Sequence, residues 1–293
     1  MKVRKPSVSG IFYPSNKEEL VNTIKECFLH RLGPNILPEP KVSKDKREGG
    51  SKGKVAAIVC PHAAYIYSGA VAAHSYYYAY SNIEPNVVIM LGPNHYGLGS
   101  GVASMRECYW DTPLGRVKVD DDVVDSIVKR SGIVDIDDYA HSKDHCLEVQ
   151  LPMLQYIYAY EFTIVPIVLW MQDKDTAIDL GKAIAETSKE VINDGKDVLL
   201  IASSDLTHYE PNEQAYRKDG ELIKAIESLD VSRYYTVLER LDVSACGYGA
   251  IASILVACKE LGFSKGILLK YATSGDVTND TSSVVGYPSI AIV

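Results

Sequence analysis

The chain has 293 residues, of which 46% are apolar and 23% charged, a balance typical of a globular protein with one large α/β domain or two small ones. Its net charge of −8 argues against nucleic acid as the main partner, because phosphate binding needs a basic face. The sequence has no apolar run of about 18 residues, so no membrane span or membrane partner is expected. The basic N-terminus lacks the apolar stretch of a signal peptide, which predicts a cytoplasmic protein.

The N-terminal region predicts one helix followed by a long loop. Leu20, Ile24 and Phe28 recur at helical spacing within residues 16–32, which indicates an amphipathic helix. Residues 34–54 are rich in Pro, Gly and charge, and predict an exposed, flexible loop. This loop is not interpreted as a domain boundary, so the chain is expected to form a single domain over 1–293.

From Val55 onwards, short β-branched runs alternate with longer helical patterns. Such an order predicts an α/β fold whose central sheet is mainly parallel or mixed and is covered by helices on both faces. Residues 101–120 alternate around a turn at 113–115, which predicts a hairpin or an addition to the sheet edge. The predicted strands are 55–60, 87–91, 162–169, 197–202, 266–272 and 284–293. The predicted helices are 68–80, 120–131, 147–160, 174–194, 211–228, 231–240 and 247–261.

Three predicted strands are each followed by a histidine. His62 follows the first, His95 the second, and the pair Asp205 and His208 follows the strand at 197–202. Ligands of α/β sheets bind at the carboxyl edge of the strands, so these side chains are expected to meet in one cleft. Imidazole is a frequent ligand of Zn, Fe and Cu and transfers protons near neutral pH. Asp205 is expected to orient the His208 ring across a helical turn, or to cap the next helix.

A second polar cluster lies at residues 141–154. His145 and Glu148 are three residues apart, at the start of the predicted helix 147–160. Glu148 is expected to point partly inward, where a carboxylate needs a cation, a metal or a hydrogen-bond donor as partner. The simpler alternative is a favourable charge in the first turn of a helix. We assign both residues to the cleft as candidate catalytic groups.

Cys246 lies in a small-residue turn directly before the predicted helix 247–261. A helix N-terminus lowers a thiol pKa and favours the thiolate that binds a metal. Cys60 and Cys258 fall within apolar elements and are expected to be inert core residues, whereas Cys146 lies beside His145. Six cysteines in a chain of this length do not indicate a disulfide framework.

Taken together, these segments resemble the MEMO family over nearly the whole chain. The segments that carry the resemblance are "CPHAAYIYSG", "LGPNHYG", "DHCLEVQLP", "FTIVPI", "SSDLTHY" and "ACGYGAI". The fold of that family is similar to the class III extradiol dioxygenases, which are non-haem iron enzymes. The resemblance implies a metal site of His62, His95 and Cys246. It also implies that His208 takes the position of the dioxygenases' acid–base histidine beside Asp205, with His145 and Glu148 as further pocket residues.

The third metal position departs from the dioxygenase pattern, which has two histidines and a carboxylate. A thiolate from Cys246 is a softer ligand and shifts preference towards Cu(I), Zn or thiolate-tolerant Fe. Fe(II) is the expected metal, with Cu or Zn as alternatives, and the expected function is a metal-dependent oxidoreductase. The expected ligand of the cleft is a small molecule or a peptide.

Other functions remain open at the level of the sequence. The same cleft suits a zinc-dependent hydrolase with His208 or Glu148 as base, a non-catalytic peptide- or phosphopeptide-binding module, or an iron- or copper-handling protein. The cleft segments offer few cations apart from Lys143, which disfavours phosphate recognition. The tyrosine-rich run at 74–80 offers a surface for a ligand or for a homo-oligomer.

Overall fold

The computed structural model describes residues 1–44 and 52–293, and within them a single mixed sheet is flanked by helices. The strands are β1 (Lys2–Arg4), β2 (Val55–Cys60), β3 (Val87–Pro93), β4 (Val102–Ser104), β5 (Cys108–Thr112), β6 (Gly115–Val119), β7 (Asp135–Ile136), β8 (Thr163–Leu169), β9 (Val198–Ser203), β10 (His208–Glu210), β11 (Gly266–Thr273) and β12 (Val284–Ile292). The α-helices are α1 (Lys17–Leu29), α2 (Ala70–Asn82), α3 (Asp121–Arg130), α4 (Gln150–Ile157), α5 (Lys174–Asn193), α6 (Asn212–Glu227), α7 (Val231–Leu241), α8 (Tyr248–Glu260) and α9 (Gly275–Thr278).

Four parallel strands form the centre of the sheet, in the order β8–β3–β9–β2. β12 pairs antiparallel with β2, and the hairpin of β5 and β6 joins through β6, which runs parallel to β8. All seven residues of β3 are buried, which requires cover on both faces of the sheet. The predicted α/β fold with a mixed, helix-covered sheet is therefore confirmed.

The predicted core elements match the structure closely. All six predicted strands agree with observed strands to within two residues at each end. The region 101–120 forms the predicted hairpin, and β4 adds antiparallel to β8. None of the described helices is long and apolar enough to cross a membrane.

The predicted helix 147–160 is too long, because the observed helix α4 covers only 150–157. The chain turns through 145–149 instead, since the carboxylate of Glu148 is bound by the N-terminal segment. The short strands β1, β7 and β10 were not predicted, and neither was the π-helical turn before α2, Tyr65–Gly69.

The predicted flexible loop 34–54 falls partly on residues 45–51, which lie outside the described residues. Residues 34–44 have irregular backbone but are attached to the body of the protein. Pro38 is buried, and Lys41 forms a bridge with Tyr158. This half of the segment therefore packs against the domain.

Helices α5 and α8 cross at unusually short distance at Gly181. A Cβ atom there would lie 2.6 Å from the carbonyl oxygen of Ser253 and 2.5 Å from Cβ of Val256. Backbone cannot yield as a flexible side chain does, so the glycine permits the close approach. Gly220 in α6 is a matched contrast, because a Cβ there meets nothing within 4 Å.

Replacing Gly181 with Ala should destabilise the protein by about 1–3 kcal/mol, because overpacking outweighs the gain in helix propensity. Gly220→Ala should instead be neutral or stabilising by up to about 1 kcal/mol, because the propensity gain acts alone. Urea unfolding of the two variants measures the difference. Equal effects would show that the α5–α8 contact does not constrain position 181.

Candidate metal centre

Three potential ligand side chains converge at the carboxyl edge of the central strands. His62 lies two residues after β2, His95 two residues after β3, and Cys246 two residues before α8. One ligand atom from each lies within 4.8 Å of the others. Nε2 of His62 and Sγ of Cys246 are 3.2 Å apart. The expected meeting of these three residues is therefore seen in the structure.

The His62 ring is buried and its orientation is fixed by Ser203, at the end of β9. The ring Nδ1 lies 2.9 Å from Oγ of Ser203. That oxygen also accepts a hydrogen bond from Nε2 of Gln150 and donates to the carbonyl of Cys146, so its remaining lone pair suits an N–H on Nδ1 of His62. Burial, and then the neighbouring His95, hold the pKa of His62 well below its ordinary value. A neutral ring with this tautomer presents the Nε2 lone pair to Cys246.

Asp144 orients His95 from outside the cluster. Both of its carboxylate oxygens lie 3.2 Å from Nδ1 of His95, and one accepts a 2.6 Å hydrogen bond from the His95 backbone. Burial of Asp144 opposes ionisation, but the hydrogen bonds from His95 and Cys146 outweigh it and place the carboxyl pKa well below its ordinary value. A carboxylate on Nδ1 leaves Nε2 of His95 as the ligand atom, as in metal-bound histidines generally.

The backbone around Cys246 is fixed by hydrogen bonds on both sides. Its carbonyl accepts from Nε2 of Gln172, and the next residue, Gly247, donates to Oγ of Ser204. Gly247 has to be glycine here, since a Cβ would lie 2.5 Å from the carbonyl of Ser203. The expected lowering of the Cys246 pKa is wrong: burial, and then the charge of Asp205, raise it well above the ordinary value. Desolvation outweighs the helix terminus.

Asp205 connects the loops that carry two of the three ligands. Its side chain accepts a hydrogen bond from the backbone N–H of His62 at 2.9 Å. Its carbonyl accepts one from the backbone N–H of Cys246 at 3.3 Å. The expected contact with the His208 ring is not made, because residues 204–207 are irregular and β10 begins at His208, so no helical turn joins the pair. Asp205 does not cap α6 either, since the cap position is Pro211.

His208 is half-buried and is oriented by backbone carbonyls. Its Nδ1 lies 2.7 Å from the carbonyl oxygen of Leu206 and 2.8 Å from that of Ser244. Because both partners are acceptors, Nδ1 carries the hydrogen. The Nε2 lone pair is then left to accept a proton. His208 is close enough to the cluster for its charge to affect the pKa of His62.

His145 stands between two rings and has no side-chain hydrogen bond among the described residues. It stacks on His95 at 4.6 Å between ring centroids with a 12° angle, and Phe12 packs on it at 4.6 Å. Burial, and then His95, lower the pKa of His145 to about 4. The ring is therefore neutral at physiological pH and lies beside the ligands.

Glu148 is fully buried, and among the described residues its carboxylate is bound only by the N-terminal segment. Its carboxylate oxygens accept hydrogen bonds from Arg4, from Ser7, from the Val8 backbone and from the Tyr13 hydroxyl. Arg4 also donates to the carbonyls of residues 141 and 144. The predictions that Glu148 points inward and needs a partner are confirmed. Its charged partner is the Arg4 guanidinium, not a metal or a group in the cleft. Glu148 and Arg4 thus hold the segment that places Phe12 against His145.

Four polar residues that contribute to the site were not singled out from the sequence: Asp144, Gln150, Gln172 and Ser203. Asp144 had the clearest signal, as a carboxylate directly before His145 in a polar cluster. Gln150 and Ser203 lie within apolar runs, where a polar residue needs a buried partner. Gln172 gave no local signal, because its partners, Cys246 and Gly249, lie more than 70 residues away.

The three ligands fit a transition metal ion. Two imidazoles and one thiol give a borderline-to-soft donor set, suited to Fe, Cu or Zn rather than to Mg or Ca. Nε2 of His62 and Sγ of Cys246 lie 3.2 Å apart, near enough for one metal ion to bind both. His95 is on the exposed side, so an ion held by these three residues would keep open positions towards solvent.

Comparison with known proteins identifies relatives over the full length. A family model described as "Memo-like protein" matches residues 4–291. MEMO1 family proteins of Nitrosopumilus maritimus (45% identical, 99% of this chain and 100% of the relative) and Methanopyrus kandleri (45% identical, 98% of each) are similar throughout. A solved structure of an uncharacterized protein from Escherichia coli K12 superposes with a TM-score of 0.55 at 16% identity, over 81% of this chain and 99% of that one. That last likeness shows a shared fold.

Glu148→Gln should destabilise the protein by about 3–5 kcal/mol, because it leaves the buried Arg4 guanidinium without its counter-charge. The control Glu190→Gln removes the surface pair with Arg130, where Glu190 is 57% exposed, and should cost less than about 1 kcal/mol. Urea unfolding measures both.

The same variant has an expected pH signature. Burial favours the protonated form of Glu148, but Arg4 and the backbone donors outweigh it and lower its pKa below 4.5. The stabilisation is therefore present above pH 4.5 and is lost as pH falls through the lower, folded-state pKa. Glu148→Gln should lose part of the acid-induced destabilisation. An unchanged pH profile would contradict the assignment.

Proposed function

The chain belongs to the Memo family, and from that premise we propose that His62, His95 and Cys246 bind one transition metal ion in an oxidoreductase site. Fe(II) is the proposed metal, and Cu or Zn are the alternatives that the donor set also accepts. When bound, a redox-active metal supplies an open coordination position for dioxygen and substrate.

One observation carries the proposal: both imidazoles are oriented by a partner on Nδ1, and the backbone of the Cys246 turn is fixed. Ser203 fixes the His62 ring, Asp144 fixes the His95 ring, and hydrogen bonds on both flanks fix the turn of Cys246. Such outer partners are typical of metal ligands, where they fix the ring orientation and the tautomer. The raised pKa of Cys246 also means that a cation is needed to hold the thiolate form.

The remaining residues have roles that follow from their contacts. His208 can accept a proton at Nε2, since its Nδ1–H is held by two carbonyls. Asp205 positions the His62 and Cys246 loops relative to each other. The His145 ring, neutral and without a hydrogen bond among the described residues, can bond a substrate hydroxyl.

The loops that carry the site residues also carry exposed aromatic side chains, which favours a substrate with an apolar part. Large side chains directly beside the site residues are exposed: Tyr96 next to His95 by 54%, and Tyr209 next to His208 by 78%. Trp170, 61% exposed, follows β8 at the same edge and lies over Gly97. Exposed aromatic groups around a polar pocket are typical of a binding surface.

The first test is the metal content of protein purified without an affinity tag, before and after anaerobic Fe(II) addition. About one ion per chain is expected in the wild type. Cys246→Ala with His95→Ala should lose the metal, because only one ligand remains. The control Cys258→Ala removes a thiol buried in α8 and should keep it. Equal metal content in all three proteins would refute the site.

The second test separates proton transfer from metal binding. His208→Ala should retain the metal and reduce oxygen consumption with catechol or thiol substrates by about 100-fold, the usual size of a general-base contribution. Tyr209→Phe, at the next position, should have little effect. Loss of metal in His208→Ala would instead make His208 a ligand.

Binding without turnover is the second candidate function, favoured by the exposed aromatic side chains beside the site residues. The cleft would then bind an apolar segment of a peptide. Arg4 does not serve a phosphate group, since its guanidinium is buried on Glu148. A metal-loaded protein that consumes no oxygen with any substrate but binds a tyrosine-containing peptide would support this candidate.

A further inference from the structure

A large groove lies at the opposite edge of the sheet from the metal cleft. It has a volume of about 930 Å³ and is lined by one face of α1, the β5–β6 hairpin and residues 155–163. Thr163, in the wall of the groove, is the first residue of β8. The metal cleft lies at the other end of the parallel strands, beyond their last residues. The length of β8 separates the two sites by about 20 Å. The volume is typical of pockets for small organic ligands.

The charge of the groove is opposite to that of the protein. Among the described residues, the groove is lined by Lys17, Lys25, Arg116 and Lys118 against a single carboxylate, Glu161, in a chain of net charge −8. Within the part of the chain that the structure describes, Asp111 pairs with Arg116, and Lys17, Lys25 and Lys118 have no acidic partner. Unpaired ammonium groups around one concavity raise the local concentration of anions.

The placement of these lysines follows from the two elements that carry them. Lys17, Val21 and Lys25 follow one another at a spacing of four residues, so all three lie on one face of α1. Lys118 is directly opposite Tyr109 in the β5–β6 register, and both line the groove. A cation and an aromatic ring are thus presented side by side.

The other wall is aromatic and contains an unsatisfied donor. Tyr158, Tyr160 and Phe162 line it, and the rings of Tyr158 and Tyr160 are 5.6 Å apart. The Tyr158 hydroxyl donates to the carbonyl of Ile83. The Tyr160 hydroxyl is buried and has no hydrogen-bond partner among the described residues. Buried hydroxyl groups are almost always bonded, so this donor is left for an acceptor that enters the groove and displaces the atoms covering it.

We propose that this groove is a second ligand site, for an organic anion that carries a planar ring and has about the size of a mononucleotide. The lysines bind the anionic group, Tyr109 and Tyr160 pack against the ring, and the Tyr160 hydroxyl donates to the ligand. This site is independent of the metal cleft and of its proposed activity.

The test is titration of the purified protein with adenosine monophosphate, by calorimetry and ligand-detected NMR. Adenosine lacks the charge and inorganic phosphate lacks the ring, so each should bind at least about tenfold more weakly than the nucleotide. If either binds equally well, or if the nucleotide does not bind at about 5 mM, the proposal is overturned.

Variants locate the binding. Lys25→Glu with Lys118→Glu should weaken nucleotide binding at least about tenfold. Lys182→Glu with Lys265→Glu makes the same charge change on exposed lysines outside the groove and should not. Cys246→Ala should bind the nucleotide as the wild type does. Equal loss in both lysine pairs, or loss in Cys246→Ala, would place the binding elsewhere.

Tyr160→Phe tests the unsatisfied hydroxyl donor separately from the charge of the lysines, which it leaves unchanged. The variant should unfold at the same urea concentration as the wild type or at a higher one, because the hydroxyl has no partner in the free protein. Its affinity for the nucleotide should fall severalfold. A lower unfolding midpoint with unchanged affinity would show that the hydroxyl serves the fold, and would overturn its assigned role.

Discussion

The meeting of His62, His95 and Cys246 depends on the parallel alignment of β2, β9 and β3. Cys60 is opposite Ser203, and Ala202 is opposite Leu91, so the three strands end at nearly the same level. The turn after each strand therefore emerges at one edge. A register shift of one residue in β9 would turn Ser203 away from the His62 ring and reverse the faces of the strand. Asp205 then completes the alignment, since it binds the His62 turn through its side chain and the Cys246 turn through its carbonyl.

Burial and hydrogen bonding together determine the state of the ligands. Burial keeps the His62 ring neutral and raises the pKa of the Cys246 thiol. Asp144 stays ionised, because the hydrogen bonds to its carboxylate outweigh the effect of burial. This arrangement places the carboxylates of Asp144 and Asp205 in the outer layer and the neutral His62 ring at the centre. The thiol contributes its own charge only when a cation replaces its proton. The Arg4–Glu148 pair lies behind this layer and holds the N-terminal segment against His145.

The fold and the convergence of His62 and His95 could be predicted from local sequence patterns, and the inclusion of Cys246 with them was implied by the family resemblance. The hydrogen-bond partners of these side chains could not be predicted. His62, His95 and Cys246 stand at strand ends and at a helix start, positions that apolar runs reveal. The partners of Glu148 are at least 135 residues away, and the link from Asp205 to the His62 turn spans 143 residues. Contacts of such separation leave no periodic signal. The direction of the Cys246 pKa was also wrong from sequence, because a helix terminus is visible there and burial is not. The basic groove at the other edge combines α1, a hairpin and a loop, and no single segment reveals it.

The most direct test of the central claim is X-ray absorption at the metal edge of the loaded protein. The account predicts two imidazole nitrogens at about 2.0–2.1 Å and one sulfur at about 2.3 Å, by analogy with zinc sites, with the sulfur lost in Cys246→Ala. A first shell of nitrogen and oxygen alone, unchanged in that variant, would contradict the assignment of Cys246 and with it the proposed centre.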